Sequence, residues 1–187
     1  GTKVIGGRVE LRNNVGIEYY HAWTGFGQWR ANTTTLLVDV WYHVVVTYDN
    51  TGAAPGNDPA FYINGVLEST LEIATPTGTV GNDAAFSVGL GARVNATDPL
   101  NGQLENVRFF NRILTAEEAA ILAAGYREPL GGEVGWWSCN NFRAVAHPDG
   151  TTLTAATNYL RDESGNGNTG DPIGGVIARA SDAPSAF

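Results

Sequence analysis

Short runs of β-branched and aromatic residues, parted by Gly, Asn, Asp and Thr, recur along most of the chain. Runs of this kind at spacings of roughly 8 to 12 residues are strand signals with turns between them. Arg8-Val-Glu-Leu-Arg12 and Ile17-Glu-Tyr-Tyr-His21 open the series, divided by the turn-like Asn13-Asn14-Val15-Gly16. Residues 33–39 and 41–49 carry the strongest strand pattern. In the second of these, Trp41, His43, Val45 and Thr47 alternate with Tyr42, Val44, Val46 and Tyr48, so both faces are apolar and a central strand is predicted.

Ala60-Phe-Tyr-Ile63 and the run from Val66 flank Asn64-Gly65, and Asn-Gly between two apolar runs predicts a two-residue hairpin, since both turn positions need positive φ. Residues 86–90 read as another strand. Residues 103–110 alternate with one slip, which predicts a bulge. The expected interior is Trp41, Val45, Ile63, Leu104, Val107 and Phe109. One helix is predicted over 114–124: Thr115 and Glu118 have capping-box spacing, Gly125 stops the helix, and Ala119, Ile121 and Leu122 form its apolar stripe, with Ile121 and Leu122 inward. An all-β antiparallel sandwich or jelly roll with one short surface helix follows.

Composition narrows the function classes. With 43% apolar and 16% charged residues over 187 positions, the chain is a folding sequence long enough for one core. Its net charge is -8, and its basic residues are Lys3 and ten scattered arginines, a poor match to a phosphate backbone, so no nucleic-acid partner is expected. Carboxylates in excess suit calcium better. The lone Cys139 excludes an internal disulfide, and no apolar run reaches the roughly 18 residues of a membrane helix, so no membrane insertion is expected. The chain begins at Gly1 and holds no methionine, from which a processed chain with residues missing upstream is expected.

Three stretches carry a resemblance. Trp41-Tyr-His-Val-Val-Val-Thr-Tyr-Asp49 followed by Phe61-Tyr-Ile-Asn-Gly65 is similar to a Trp-x-His-Val strand and its hairpin in the laminin-G-like jelly rolls of the concanavalin-A-like lectin and glucanase group. Gly102-Gln-Leu-Glu-Asn-Val-Arg-Phe-Phe-Asn-Arg-Ile-Leu-Thr-Ala-Glu-Glu118 resembles the closing strand and short helix of that group. Val134-Gly-Trp-Trp-Ser138 and Asp162-Glu-Ser-Gly-Asn-Gly-Asn-Thr-Gly170 resemble its opening strand and the loop after it, yet here they follow the helix. The body is therefore expected over 1–130. The segment 131–187 either completes the same sandwich by circular permutation or begins a second copy.

The resemblance implies a non-catalytic binding or adhesion module for a glycan or protein surface, outside the cell or on a particle surface. The alternative is a structural subunit packed on neighbouring subunits of a large assembly, as a decoration module of a virion or of an extracellular filament. Glucanase chemistry of this fold needs a Glu-x-Asp-x-x-Glu run, and none occurs. Glu117 and Glu118 read as helix first-turn residues. His21, His43 and His147 show no zinc spacing, and His43 reads as a hydrogen-bonded strand residue. Gly165 to Gly170 matches a dinucleotide fingerprint by spacing alone, because Asp171-Pro172 forbids the helix that must follow. Candidate calcium ligands are Asp162 and Asn166 in that loop, and the loop pairs containing Asp83, Asn95 and Asp98. Trp23, Phe26 and Trp29, in a Gly-punctuated stretch without clean alternation, form a candidate aromatic platform for a glycan.

Overall fold

The computed structural model describes residues 7–12, 16–32, 35–50, 57–81, 88–92, 100–139, 142–143, 159–168 and 170. Contacts gather the chain into two compact units, the first reaching Ser87 and resuming over Ile113–Arg127, the second taking Val88–Arg112 and resuming at Glu128. The first holds strands β1 (Gly7–Arg12), β2 (Gly16–His21), β3 (Trp23–Gly25), β4 (Gly27–Ala31), β5 (Val44–Thr47), β6 (Ala60–Ile63), β7 (Val66–Glu68), β8 (Thr70–Ala74) and β9 (Thr77–Val80), with helix α1 (Ala116–Ala123). The second holds β10 (Val107–Phe110), β11 (Glu133–Trp137), β12 (Phe142–Arg143) and β13 (Tyr159–Leu160). All named pairings are antiparallel. With mostly strands and one short helix among the described residues, this is the all-β architecture of a jelly-roll sandwich.

In the first unit the sheet β1-β2-β4-β8 faces the sheet β5-β6-β7. Ile17 of β2 with Trp29 and Ala31 of β4 meet Phe61 and Ile63 of β6, and Tyr19, Tyr42, Val44, Val46 and Tyr48 pack around them. Trp29 has no exposed surface. Emptying that volume by Trp29→Ala would cost about 3 to 5 kcal/mol. Gly27, two residues earlier on the same face, lies beneath the Trp29 ring, and a Cβ there would sit 2.2 Å from it.

The face of β5 that forms the sandwich interior is Val44 and Val46, not Val45. Val44 is opposite Ile63 and Val46 opposite Phe61, whereas Val45 and Tyr62 are paired, so strict alternation places them on the other side of the same sheet, where both are also buried. Of the expected interior, Val45 and Ile63 are buried, Trp41 and Val107 are half-buried, and Leu104 and Phe109 are exposed. Leu104 precedes β10, which begins only at Val107, so the alternation read from it has no strand to act on. In the described sheet β6 rather than β5 is central. Residues 38–39 form a turn instead of extending a strand, with Asp39 at φ 58° and Val38 88% exposed. Residues 88–90 are likewise outside any strand, and residues 33–34 and 86–87 lie outside the described residues.

Asn64 and Gly65 adopt φ of 51° and 79°, the paired positive values that close the β6–β7 hairpin. Gly65 has a second duty: a Cβ on it would lie 3.0 Å from the Cα of Ala120, so the helix rests on the bare turn. The Thr115 hydroxyl accepts from the Glu118 N–H at 3.2 Å and the Glu118 carboxylate accepts from the Thr115 N–H at 2.9 Å, the capping box expected from the spacing. The helix buries Ala119, Leu122 and Ala123 but leaves Ile121 42% exposed. Positions three and four apart share a helix face, and Ile121, two beyond Ala119, falls on the opposite side.

In the second unit β10 pairs with β11, Val107 opposite Trp137 and Arg108 opposite Trp136, with both indoles buried. The register shifts between Phe109 and Phe110, where Val134 on β11 is the extra residue. Gly135 lies beneath the Trp137 ring as Gly27 does beneath Trp29. No helix among the described residues is long and apolar enough to cross a membrane.

Gly65→Ala is expected to destabilise the fold by about 1 to 3 kcal/mol through backbone strain and the clash with the helix, against about 1 kcal/mol for Thr115→Ala through the lost cap. Urea unfolding of both variants checks the order. Equal and negligible effects would contradict the helix seat described.

Candidate functional site

Strands β1, β2 and β4 bring a polar network to the sheet face that points away from the sandwich core. Because alternate residues of β2 face opposite ways, Ile17 and Tyr19 enter the core while Glu18 and Tyr20 point outward. The register sets Glu10 and Arg30 on either side of Glu18, and Arg8 and Gln28 on either side of Tyr20, so all six share one face with Arg12.

Glu18 has no exposed surface, and every acceptor position it offers is used. Its Oε1 accepts from Arg30 Nε at 2.9 Å and Nη2 at 2.6 Å. Its Oε2 accepts from the Tyr20 hydroxyl at 2.6 Å, Gln28 Nε2 at 3.0 Å and Arg12 Nη1 at 3.2 Å. The Tyr20 oxygen in turn accepts from Gln28 at 2.9 Å and Arg12 at 3.3 Å. Arg8 lies over the Tyr20 ring at 4.2 Å and pairs with Glu10 at 2.8 Å.

Burial alone would push the Glu18 carboxyl up, but the hydrogen bonds from Tyr20 and Arg30 and the charges of Arg12 and Arg30 overcome it and hold the group below its ordinary 4.5. Burial, together with the bond to the Glu18 anion, pushes the Tyr20 phenol up, so it remains a neutral donor. The network therefore holds an ionised carboxylate, three guanidiniums, a phenol and an amide in fixed positions on rigid strands. It presents arginine donors oriented by the Glu18 carboxylate.

The aromatic residues of 21–30 do not form an open platform. Trp29 is enclosed in the core, stacked with Tyr19 at 6.1 Å and donating its indole N–H to Asp58 at 2.7 Å; Trp23 is buried and donates to the Tyr48 hydroxyl at 3.2 Å. Only Phe26 is exposed, at 51%. The stretch is in fact two strands: Gly25 ends β3, which pairs with β9, and Gly27 begins β4, which pairs with β2 and β8, so Phe26 marks where the chain changes sheets.

Asp162 is buried in the second unit and works as a clamp. Its Oδ1 accepts from the N–H groups of Trp136 and Ser164, and its Oδ2 from that of Asn168, each at 2.9 Å. Asn166 donates to the carbonyl of Glu133 at 2.9 Å, and Asn168 to that of Val134 at 2.6 Å, fastening the loop to β11. These backbone bonds give the loop the form of an Asx-turn. Asp83, Asn95 and Asp98 lie outside the described residues, as does His147. Among the described residues no group of three or more His, Cys, Asp or Glu is placed to hold a metal ion. The His21 ring meets the Tyr19 hydroxyl at 2.8 Å, and the His43 backbone N–H donates to the Asn64 side chain at 2.8 Å.

Residues 6–120 match a laminin-G family model described as the concanavalin A-like lectin/glucanases superfamily, a span that takes in the whole polar face. Comparison with curated proteins and with solved structures returned no match.

Because Glu18 and Asp162 are both held below their ordinary values of 4.5 and 3.8, they stabilise the folded state above those values, and that contribution is lost as pH falls through the folded-state values. Glu18→Gln removes one of the two. Its melting temperature, lower than that of the parent at neutral pH, should fall less steeply between about pH 5 and pH 3. Parallel slopes for the two proteins would contradict the assignment.

Proposed function

The chain belongs to the concanavalin A-like lectin/glucanases superfamily, and we propose that it is a non-catalytic carbohydrate-binding module whose ligand lies on the outer face of β1, β2 and β4. The superfamily commonly binds carbohydrates or proteins, and the observation that selects this face is the enclosed Glu18 carboxylate with its four donor side chains. Burying a charge is expensive, and a sheet face that only had to be wet would use solvated lysines and glutamates instead. Arginines whose orientation the Glu18, Tyr20 and Gln28 network fixes on rigid strands suit recognition of sugar hydroxyls, since their remaining donors are ordered before the ligand arrives. In this reading residues 131–187 supply the opening strand of the jelly roll, and the module works outside the cell or on a particle surface.

A second reading, a structural subunit of a larger assembly, draws on Val9 and Leu11, which share the core-facing side of β1 yet are exposed. Sedimentation of the full chain separates the two, since a stable oligomer favours the second. For the first, a glycan array followed by calorimetry should find a bound saccharide, and Arg12→Ala should weaken it about tenfold or more by removing a charged hydrogen bond. A monomer that binds no glycan on the array would sink the carbohydrate reading.

A further inference from the structure

The charge balance of the polar face says what kind of saccharide it takes, an inference that rests on reading that face as the ligand site. Among the described residues, Arg8, Arg12 and Arg30 share it with two carboxylates, Glu10 and Glu18, a local excess of one positive charge in a chain whose net charge is -8. The pairing is also incomplete in geometry. Glu18 engages Nε and Nη2 of Arg30 and Nη1 of Arg12, leaving Nη1 of Arg30 and both Nε and Nη2 of Arg12 for an acceptor beyond the network. The side chains of Arg12 and Arg30 are 48% and 29% exposed. Arg8 Nε is buried with no hydrogen-bond partner, a desolvated donor on the same face.

A guanidinium with two adjacent N–H groups free fits a carboxylate or a sulfate, both planar or three-oxygen acceptors able to take a forked pair of bonds. Leu71 of β8, opposite Arg30 in the register and exposed, adds an apolar shoulder beside the cations, which suits the C–H surface of a sugar ring. We propose that this face binds an anionic saccharide, one carrying carboxylate or sulfate groups, with Arg12 and Arg30 as the contacts to the charged group. Glu18 fixes both guanidiniums in advance, so the ligand meets donors already in position.

The test is isothermal calorimetry of the full chain with polygalacturonate, dextran sulfate, uncharged dextran and polyglutamate, at low and at about 0.15 M salt. At least one of the two anionic polysaccharides should bind about tenfold or more tighter than dextran and tighter than polyglutamate, and which of them binds identifies carboxylate or sulfate as the group recognised. Arg12→Ala should lose about tenfold of that affinity and Arg12→Lys only part of it; Arg12→Gln, which keeps the stem, serves if the alanine variant does not fold. Uncharged glycans bound as tightly as the anionic ones, with the Arg12 variants impaired, would overturn the anionic assignment and leave the face as a glycan site. Anionic binding that the Arg12 variants do not change, or polyglutamate bound equally well, overturns the proposal. Binding to nothing, charged or neutral, removes the glycan reading itself.

Discussion

A carboxylate with no exposed surface in the middle of a sheet has to be met by donors, and the placement of Glu18 organises the strands around it. On β2 its neighbours Ile17 and Tyr19 point to the core, so a slip of one residue would drive Glu18 into the apolar interior and put Ile17 among arginines. Register is thus pinned from both sides: by Trp29, Phe61 and Ile63 within, and by Arg12, Tyr20, Gln28 and Arg30 without. Removing one partner would leave a buried charge short of its donors, which costs more than the net value of the bond. The same arrangement that secures the sheet leaves a set of cations oriented on its surface, and the functional reading follows from that.

Each unit carries one further constraint, in the same form. Gly27-Gln-Trp29 and Gly135-Trp-Trp137 both place a glycine under the ring of the tryptophan two residues on, where no Cβ fits. Two residues apart on a strand is the same face, so the indole lies back along its own backbone and fills the space the glycine vacates. The hydrogen bonds from Trp29 to Asp58 and from Trp137 to the Asn168 carbonyl then fix the rings by their polar edge.

What could be read from the sequence was what is decided locally. The Asn64-Gly65 turn and the Thr115 and Glu118 cap were legible, because each depends on a few adjacent residues at a familiar spacing. The network of Glu18 was not: Arg8, Arg12, Tyr20, Gln28 and Arg30 become neighbours only through cross-strand register, and scattered arginines gave no sign of a patch. The aromatic stretch misled for a related reason. Gly25 and Gly27 interrupt the alternation because the chain leaves one sheet for another there, and that break concealed two strands whose tryptophans point inward. Likewise both faces of β5 are apolar, so alternation alone did not say which one, Val45 or Val44 and Val46, belongs to the sandwich interior.

The central claim is that the Glu18-ordered arginines are where a ligand lands. The most direct measurement is an NMR titration that follows the arginine Nε–Hε resonances while an oligogalacturonate or a sulfated oligosaccharide is added. The account predicts that Arg12 and Arg30 shift in a saturable way, together with the backbone amides of β1, β2 and β4, while Arg108 and Arg112 of the second unit stay in place. Saturable shifts confined to residues away from that face, with Arg12 and Arg30 unmoved, would contradict it.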